Sequence, residues 1–167
     1  MKKILHSILL LLLVAFAGSA QSIKGNYAIK NVQAEMLLRI KDANKANGTA
    51  LVLYTPINWK CMTWEFKHIE GETYQLRNLF TGKTFQPKEK TAEGAELVQQ
   101  PLIAAQENQQ YEFISAAKNV YRIRLKGTTL YVTAAADAGR TNSAVILSKW
   151  SESKLQQWTI YEQNPTM

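Results

Sequence analysis

Two polar segments of this 167-residue sequence combine acid and amide side chains with aromatic ones. The residues are Asp42, Asn44, Asn47, Tyr54 and Trp59 in the first segment, and Asp137, Arg140, Asn142 and Trp150 in the second. Carboxylates and amides hydrogen-bond to hydroxyl groups, and an aromatic ring stacks on the apolar face of a pyranose. We therefore expect these two segments to bind carbohydrate. The alternative is that each tryptophan packs flat against a loop.

The sequence contains little that could perform catalysis. After the first twenty residues it has one histidine, His68, and one cysteine, Cys61. Without paired acids, a glycine-rich phosphate loop or a nucleophile motif, we predict no enzymatic activity, no cofactor and no metal site. A single cysteine also excludes an intramolecular disulfide. We expect Cys61 to be buried, with pairing between two chains as the alternative.

Residues 1–20 have the pattern of a secretory signal peptide. Lys2 and Lys3 precede the apolar run Ile4–Phe16, and the small residues Gly18–Ala20 follow it. The run is too short to favour a membrane span, so we predict cleavage after Ala20, with an uncleaved anchor as the alternative. The mature chain, 21–167, should then be secreted or periplasmic, with no membrane span.

The charge of the mature chain is only mildly basic. The formal net charge of +7 falls to +5 without Lys2 and Lys3, because the first twenty residues contain no acid. The remaining basic residues are scattered rather than clustered, which argues against nucleic-acid binding. An acidic glycan could still be attracted by this charge.

One pattern occurs three times along the chain, 47 residues apart. A tyrosine opens each copy and a second aromatic residue closes it: Tyr27, Tyr74 and Tyr121, then Trp64, Tyr111 and Trp158. Two aromatic sets with the same spacing indicate a threefold internal repeat. We place the repeats at about 23–69, 70–116 and 117–162 of a single domain covering 21–167.

Each repeat has the alternation of short β-strands. Tyr27 and Ile29 alternate with less apolar neighbours, and short aliphatic runs such as Leu51–Tyr54 are bounded by glycine turns. About four strands in each repeat give about twelve in all. Closing three copies around an axis removes exposed strand edges, which predicts an all-β protein with the β-trefoil fold. An eight-stranded barrel is the alternative, but it would not explain a threefold period.

The repeat motifs resemble those of the ricin-type β-trefoil lectins. Gln156-Gln157-Trp158 matches the family's QxW motif, Gln109-Gln110-Tyr111 matches with tyrosine for tryptophan, and Gly25–Asn31 fits the start of a family repeat. The resemblance implies a structural core of Trp64, Tyr111, Trp158, Gln109 and Gln156. It also implies a lectin that binds carbohydrate or a glycoconjugate.

The sugar-binding positions of that family are filled differently here. We call them the family subsites: in each repeat, an acid, a stacking aromatic and an asparagine. By resemblance, and in that order, the first repeat has Arg39, Tyr54 and Cys61. The second repeat has Gln86 at the acid position, Gln100 or Pro101 at the aromatic position, and Asn108 at the asparagine position. The third repeat has Tyr131, Ser148 and Leu155.

No repeat has the full set, so we expect atypical sugar sites, at most two, in the first and third repeats. The alternative is a protein-binding trefoil, such as a protease inhibitor or an interaction module. A purely structural domain is a third possibility.

Overall fold

A computed structural model of the protein describes residues 22–136 and 138–167. The expected signal peptide therefore lies outside the described residues. Within them the chain forms twelve strands and four short 3-10 helices. The strands are β1 (Gly25–Asn31), β2 (Leu37–Ile40), β3 (Leu51–Tyr54), β4 (Thr63–Glu70), β5 (Thr73–Asn78), β6 (Thr84–Pro87), β7 (Leu97–Gln100), β8 (Tyr111–Ala117), β9 (Val120–Leu125), β10 (Leu130–Ala134), β11 (Val145–Lys149) and β12 (Trp158–Glu162). The 3-10 helices are Lys41–Ala43, Lys60–Met62, Glu107–Gln109 and Lys154–Gln156.

Six of the strands close a barrel. All pairs are antiparallel, and they run β1–β4–β5–β8–β9–β12 and back to β1. The other six form three hairpins, β2–β3, β6–β7 and β10–β11, which touch one another through single bridges. Each repeat thus supplies two barrel strands and one hairpin. This arrangement confirms the predicted β-trefoil and excludes the eight-stranded barrel.

The three repeat-closing aromatics lie in the core and make equivalent hydrogen bonds. Trp64, Tyr111 and Trp158 are all 0% exposed. Each donates from its ring N–H or hydroxyl to the backbone carbonyl of the residue 26 positions earlier. The acceptors are Leu38, Phe85 and Val132, at 3.2, 3.1 and 2.9 Å. Because the polar atom of each ring has a partner, the rings can be buried without leaving a donor unsatisfied.

The glutamines of the QxW motifs fasten the loop before each closing strand. Gln109 Nε2 donates to the Pro101 carbonyl, and its Oε1 accepts from the Ile103 N–H, both at 2.9 Å. Gln156 does the same with Lys149 and Ser151, at 2.7 and 2.8 Å. The two buried amides thereby fix where the chain leaves each hairpin.

The first repeat has Met62 at this position and uses the C-terminal segment instead. Thr63 donates its hydroxyl to Gln163 Oε1 at 2.7 Å, and the Lys60 N–H donates to the Met167 carbonyl at 2.6 Å. The neighbouring Cys61 is buried and unpaired, as expected, and burial raises the pKa of its thiol. Residues after β12 therefore complete the first repeat.

Candidate functional site

The family subsite of the first repeat is covered by the protein's own arginine. Arg39, on β2, is 7% exposed, and its Cζ atom lies 4.0 Å from the centre of the Tyr54 ring. Arg39 Nη2 is 3.5 Å from Asp42 Oδ1, which orients the guanidinium over the ring. A cation stacked on an aromatic face takes the place that a sugar would need there. The ring that the sequence offers for stacking is therefore occupied on one face.

Trp59 packs beside this ring and is partly buried. Its ring lies 6.4 Å from that of Tyr54 with an interplanar angle of 28°. It also packs against a small apolar cluster that includes Cys61 and Met62. The packed alternative from the sequence therefore describes Trp59 better than an open platform does.

The polar loop of the first repeat points mainly towards the second repeat. Asn44 Oδ1 accepts from the Ala46 N–H at 2.8 Å, and Asn47 Oδ1 accepts from the Lys83 ammonium group. Gln99 of β7 donates to two carbonyls of the same loop, at 2.6 Å each. Arg39 thus links Asp42 to Tyr54, because it contacts both. Asn44 instead bonds within its own loop, and Asn47 bonds to Lys83.

A closed amide network fills the family subsite of the second repeat. Gln86, at the acid position, accepts from Gln109 at 2.8 Å and from Gln106 at 3.3 Å. The same Gln106 amide donates to Asn108 Oδ1 at 2.7 Å. Because Gln86 Oε1 already accepts two hydrogen bonds, a sugar hydroxyl could donate to it only by displacing an internal bond.

The acid position of the third repeat was assigned wrongly from the sequence. Tyr131 was expected there, but Gln156 Nε2 donates to Thr133 Oγ1 at 3.2 Å, as Gln109 does to Gln86. Thr133 is therefore the equivalent residue. A shift of two residues leaves every side chain of a strand on the same face, so alternation alone could not separate the two choices. The 47-residue spacing from Gln86 does separate them, since it leads to Thr133.

Among the described residues of the third repeat, Trp150 is the most exposed aromatic side chain, ahead of Tyr161. It follows β11 and is 43% exposed. Arg122, on β9, places its Cζ atom 3.9 Å from the ring centre, and Tyr131, on β10, lies 5.6 Å away at an angle of 59°. We call Arg122, Tyr131 and Trp150 the Trp150 surface. Sequence reasoning missed Arg122 and Tyr131 as its members, although Arg122 occupies an alternating, outward-facing position of its strand.

The polar residues expected to accompany Trp150 lie elsewhere or outside the described residues. Asn142 is exposed and sits at the turn of the β10–β11 hairpin, where its N–H donates to the Leu53 carbonyl at 2.8 Å. Trp150 lies at the opposite end of β11, so a whole strand separates the two. Asp137 is not among the described residues.

Two further properties of the described residues bear on function. In the described part of the chain, no cluster of three or more His, Cys, Asp or Glu residues could hold a metal ion. Within residues 22–136 and 138–167, no helix has the length and apolar character that a membrane span requires.

Comparison with known proteins gives a consistent fold assignment. A profile of the family described as ricin-type beta-trefoil lectin domain-like matches residues 15–100. No curated protein sequence matches the chain significantly.

The solved structures that resemble the chain over most of its length include the following three. The designed threefold symmetric protein ThreeFoil has a TM-score of 0.78 and 18% identity, covering 83% of this chain and 99% of its own. The Macrolepiota procera ricin B-like lectin, solved with lactose, has a TM-score of 0.70 and 21% identity, covering 87% and 100%.

An exo-beta-1,3-galactanase from Clostridium thermocellum has a TM-score of 0.77 and 16% identity, covering 83% of this chain and 30% of its own. At these identities the likeness shows the fold alone. The profile match over half of the sequence shows more: the chain belongs to the ricin-type beta-trefoil lectin domain-like family.

Proposed function

We propose that the protein is an exported, non-catalytic lectin that binds glycans chiefly at the Trp150 surface. Membership of a lectin-like family supports carbohydrate as the ligand class, and the related Macrolepiota procera lectin was solved with lactose. The first-repeat surface around Asp42, Tyr54 and Trp59 is a secondary candidate. The family subsites themselves do not carry the proposal.

One observation carries it: the family subsites are filled by buried or internally bonded groups, whereas Trp150 remains exposed although Arg122 lies over its ring. Arg39 covers Tyr54, and Gln86 and Asn108 accept from neighbouring amides. Trp150 keeps 43% of its surface exposed beside Arg122 on β9 and Tyr131 on β10, whose side chains carry hydrogen-bonding groups. A large exposed aromatic ring flanked by polar groups matches the apolar face and hydroxyl rim of a pyranose.

A single shallow surface of this kind binds weakly. One ring contact contributes about 1 kcal/mol beyond the area that it buries. We therefore expect dissociation constants on the order of 1 mM for a monovalent sugar. Clustered glycans on a surface would raise the apparent affinity if several copies of the protein bind together.

Export rests on the sequence alone. The basic start, the apolar run Ile4–Phe16 and the small residues before position 21 are the features that a signal peptidase recognises. We expect the protein found outside the cytoplasm to begin at Gln21. N-terminal sequencing of the exported protein tests this, and retention of Met1 would contradict it.

A multivalent glycan array tests the proposed function. We expect the wild-type protein to bind a subset of glycans, Trp150→Ala to lose that binding, and Trp59→Ala to weaken it little. Ile103→Ala is a matched control, because Ile103 is an exposed apolar residue 47 positions before Trp150. It should bind like the wild type.

Two outcomes would contradict the proposal. One is the absence of binding to any glycan at high protein concentration. The other is binding that persists in Trp150→Ala. If the wild type instead binds a protein, for example a protease in an inhibition panel, the alternative of a protein-binding trefoil replaces the lectin proposal.

A further inference from the structure

We infer that the Trp150 surface prefers glycans that carry a carboxylate, with Arg122 as the residue that determines this specificity. The inference rests on the proposed function and names its ligand class. It follows from the state of the Arg122 guanidinium, from the equivalent positions in the other repeats, and from the chemistry of uronic sugars.

Arg122 lacks the acidic partner that neighbouring arginines have. Arg124 pairs with Glu112, and Arg77, 47 residues earlier, pairs with Glu65 in the same way. No carboxylate within the described residues lies within ion-pair distance of Arg122, and its Nε atom is buried without a hydrogen-bond partner. The guanidinium is therefore a half-buried positive charge whose counter-charge the described residues do not supply.

The stacked geometry leaves Arg122 able to bind an anion. Contact with Trp150 is a cation–π contact, with the guanidinium carbon 3.9 Å from the ring centre, and it uses none of the N–H donors in a hydrogen bond. A guanidinium donates its hydrogen bonds in its own plane, so stacking does not consume them. The in-plane donors match the two oxygens of a carboxylate, and these charge-assisted bonds are stronger than bonds to a neutral hydroxyl.

The fold itself does not require an arginine at this position. The equivalent residues, 47 and 94 positions earlier, are Gln75 and Ala28. Gln75 is 3% exposed and donates to the carbonyl of Ile103, which is the equivalent of Trp150. In the second repeat Gln75 and Ile103 thus hold a loop in place, whereas the third repeat has a cation and an aromatic ring, Arg122 and Trp150, at these two positions.

A pyranose that carries a carboxylate fits this pair of groups. Its apolar ring face can pack on Trp150, while the carboxylate reaches the edge of the Arg122 guanidinium. A sulfated sugar shares the anionic chemistry and can also accept two in-plane hydrogen bonds, but an ester oxygen holds its sulfate away from the ring, whereas the carboxylate of a hexuronate is attached directly to a ring carbon. Hexuronates are therefore the ligand class that we infer, and sulfated sugars are a separate arm of the test.

The test compares short oligogalacturonates with their methyl esters, which have the same sugar rings but no charge. Titration calorimetry at low ionic strength should show the acid binding the wild type about fivefold more tightly than the ester, the scale of one partly exposed ion pair. Arg122→Gln should remove this difference, so that acid and ester bind the variant equally. Trp150→Ala should weaken both ligands.

Two controls separate specific recognition from attraction by net charge. Lys149→Gln removes a positive charge next to Trp150 in the sequence; Lys149 pairs with Glu93 at 3.1 Å. This variant should keep the preference for the acid. Polyglutamate, a carboxylate polymer without sugar rings, should bind wild type and Trp150→Ala equally weakly.

The outcomes distinguish the inference from the proposed function. Equal binding of acid and ester, with both lost in Trp150→Ala, overturns the inference and leaves the lectin proposal standing. The inference is also overturned if Arg122→Gln still prefers the acid, or if Lys149→Gln loses the preference. Tighter binding of sulfated sugars than of uronates overturns the assigned class. If the wild type binds none of these ligands and no glycan on the array, both proposals fail.

Discussion

Removing one hydroxyl from the core tests whether the three repeat-closing aromatics are equivalent. Tyr111 is 0% exposed, and its hydroxyl donates to the Phe85 carbonyl at 3.1 Å, the position that ring N–H groups serve in the other repeats. Tyr111→Phe keeps the ring but leaves a buried carbonyl without this donor. Such a loss costs about 1–3 kcal/mol of unfolding free energy. For a domain of this size it lowers Tm by about 2–12 °C.

The assay is urea unfolding followed by tryptophan fluorescence. The midpoint should fall while the slope m stays unchanged, because the surface exposed on unfolding is the same. Tyr27→Phe is the matched control: its hydroxyl also donates to a backbone carbonyl, that of Lys24 at 3.2 Å, but in an exposed position. A loss at Tyr111 no larger than the loss at Tyr27 would refute the reasoning.

Three more perturbations follow from the same core. Burial raises the pKa of Tyr111 well above its ordinary value of 10.0, so its contribution to stability should be full below pH 10 and should fall as the pH rises further. In Tyr111→Phe the loss of stability above pH 10 should be shallower. An unchanged slope in pH-dependent unfolding would contradict this prediction. Gln109→Met and Gln156→Met each remove a loop anchor and should each cost about 1–3 kcal/mol in urea unfolding, whereas midpoints equal to the wild type would show that the amides do not hold the loops. The Cys61 thiol is buried with a raised pKa, so it should react with a disulfide reagent slowly in the native protein and rapidly in urea; a fast native reaction would place it at the surface.

The repeat made the fold predictable from sequence. A 47-residue period in two aromatic sets determined the number of copies, and alternation within each copy predicted strands. The edges of those strands would be left without hydrogen-bond partners unless the three copies closed into a barrel. The same period identifies the hydrogen-bond acceptors of the three aromatics, since Leu38, Phe85 and Val132 are also 47 residues apart. The fold and the core residues can therefore be predicted from the spacing of residues along the chain.

The candidate site was less predictable because it depends on contacts between repeats and between strands. Sequence spacing could place Arg39 at an acid position but could not show that it stacks on Tyr54. Nor could it bring Arg122 of β9 over Trp150, which follows β11, since 28 residues separate them along the chain. Residues close in sequence were grouped, as with Asn142 and Trp150, although a strand holds them apart.

Indole NMR during a glycan titration tests the central claim most directly. The protein has four tryptophans, so it should give four ring N–H signals. Trp64 and Trp158 are buried and hydrogen-bonded, and their signals should stay in place. If the account is right, an oligogalacturonate shifts the Trp150 signal in a saturable way and leaves the Trp59 signal nearly unchanged. A saturable shift at Trp59 with none at Trp150 would contradict it.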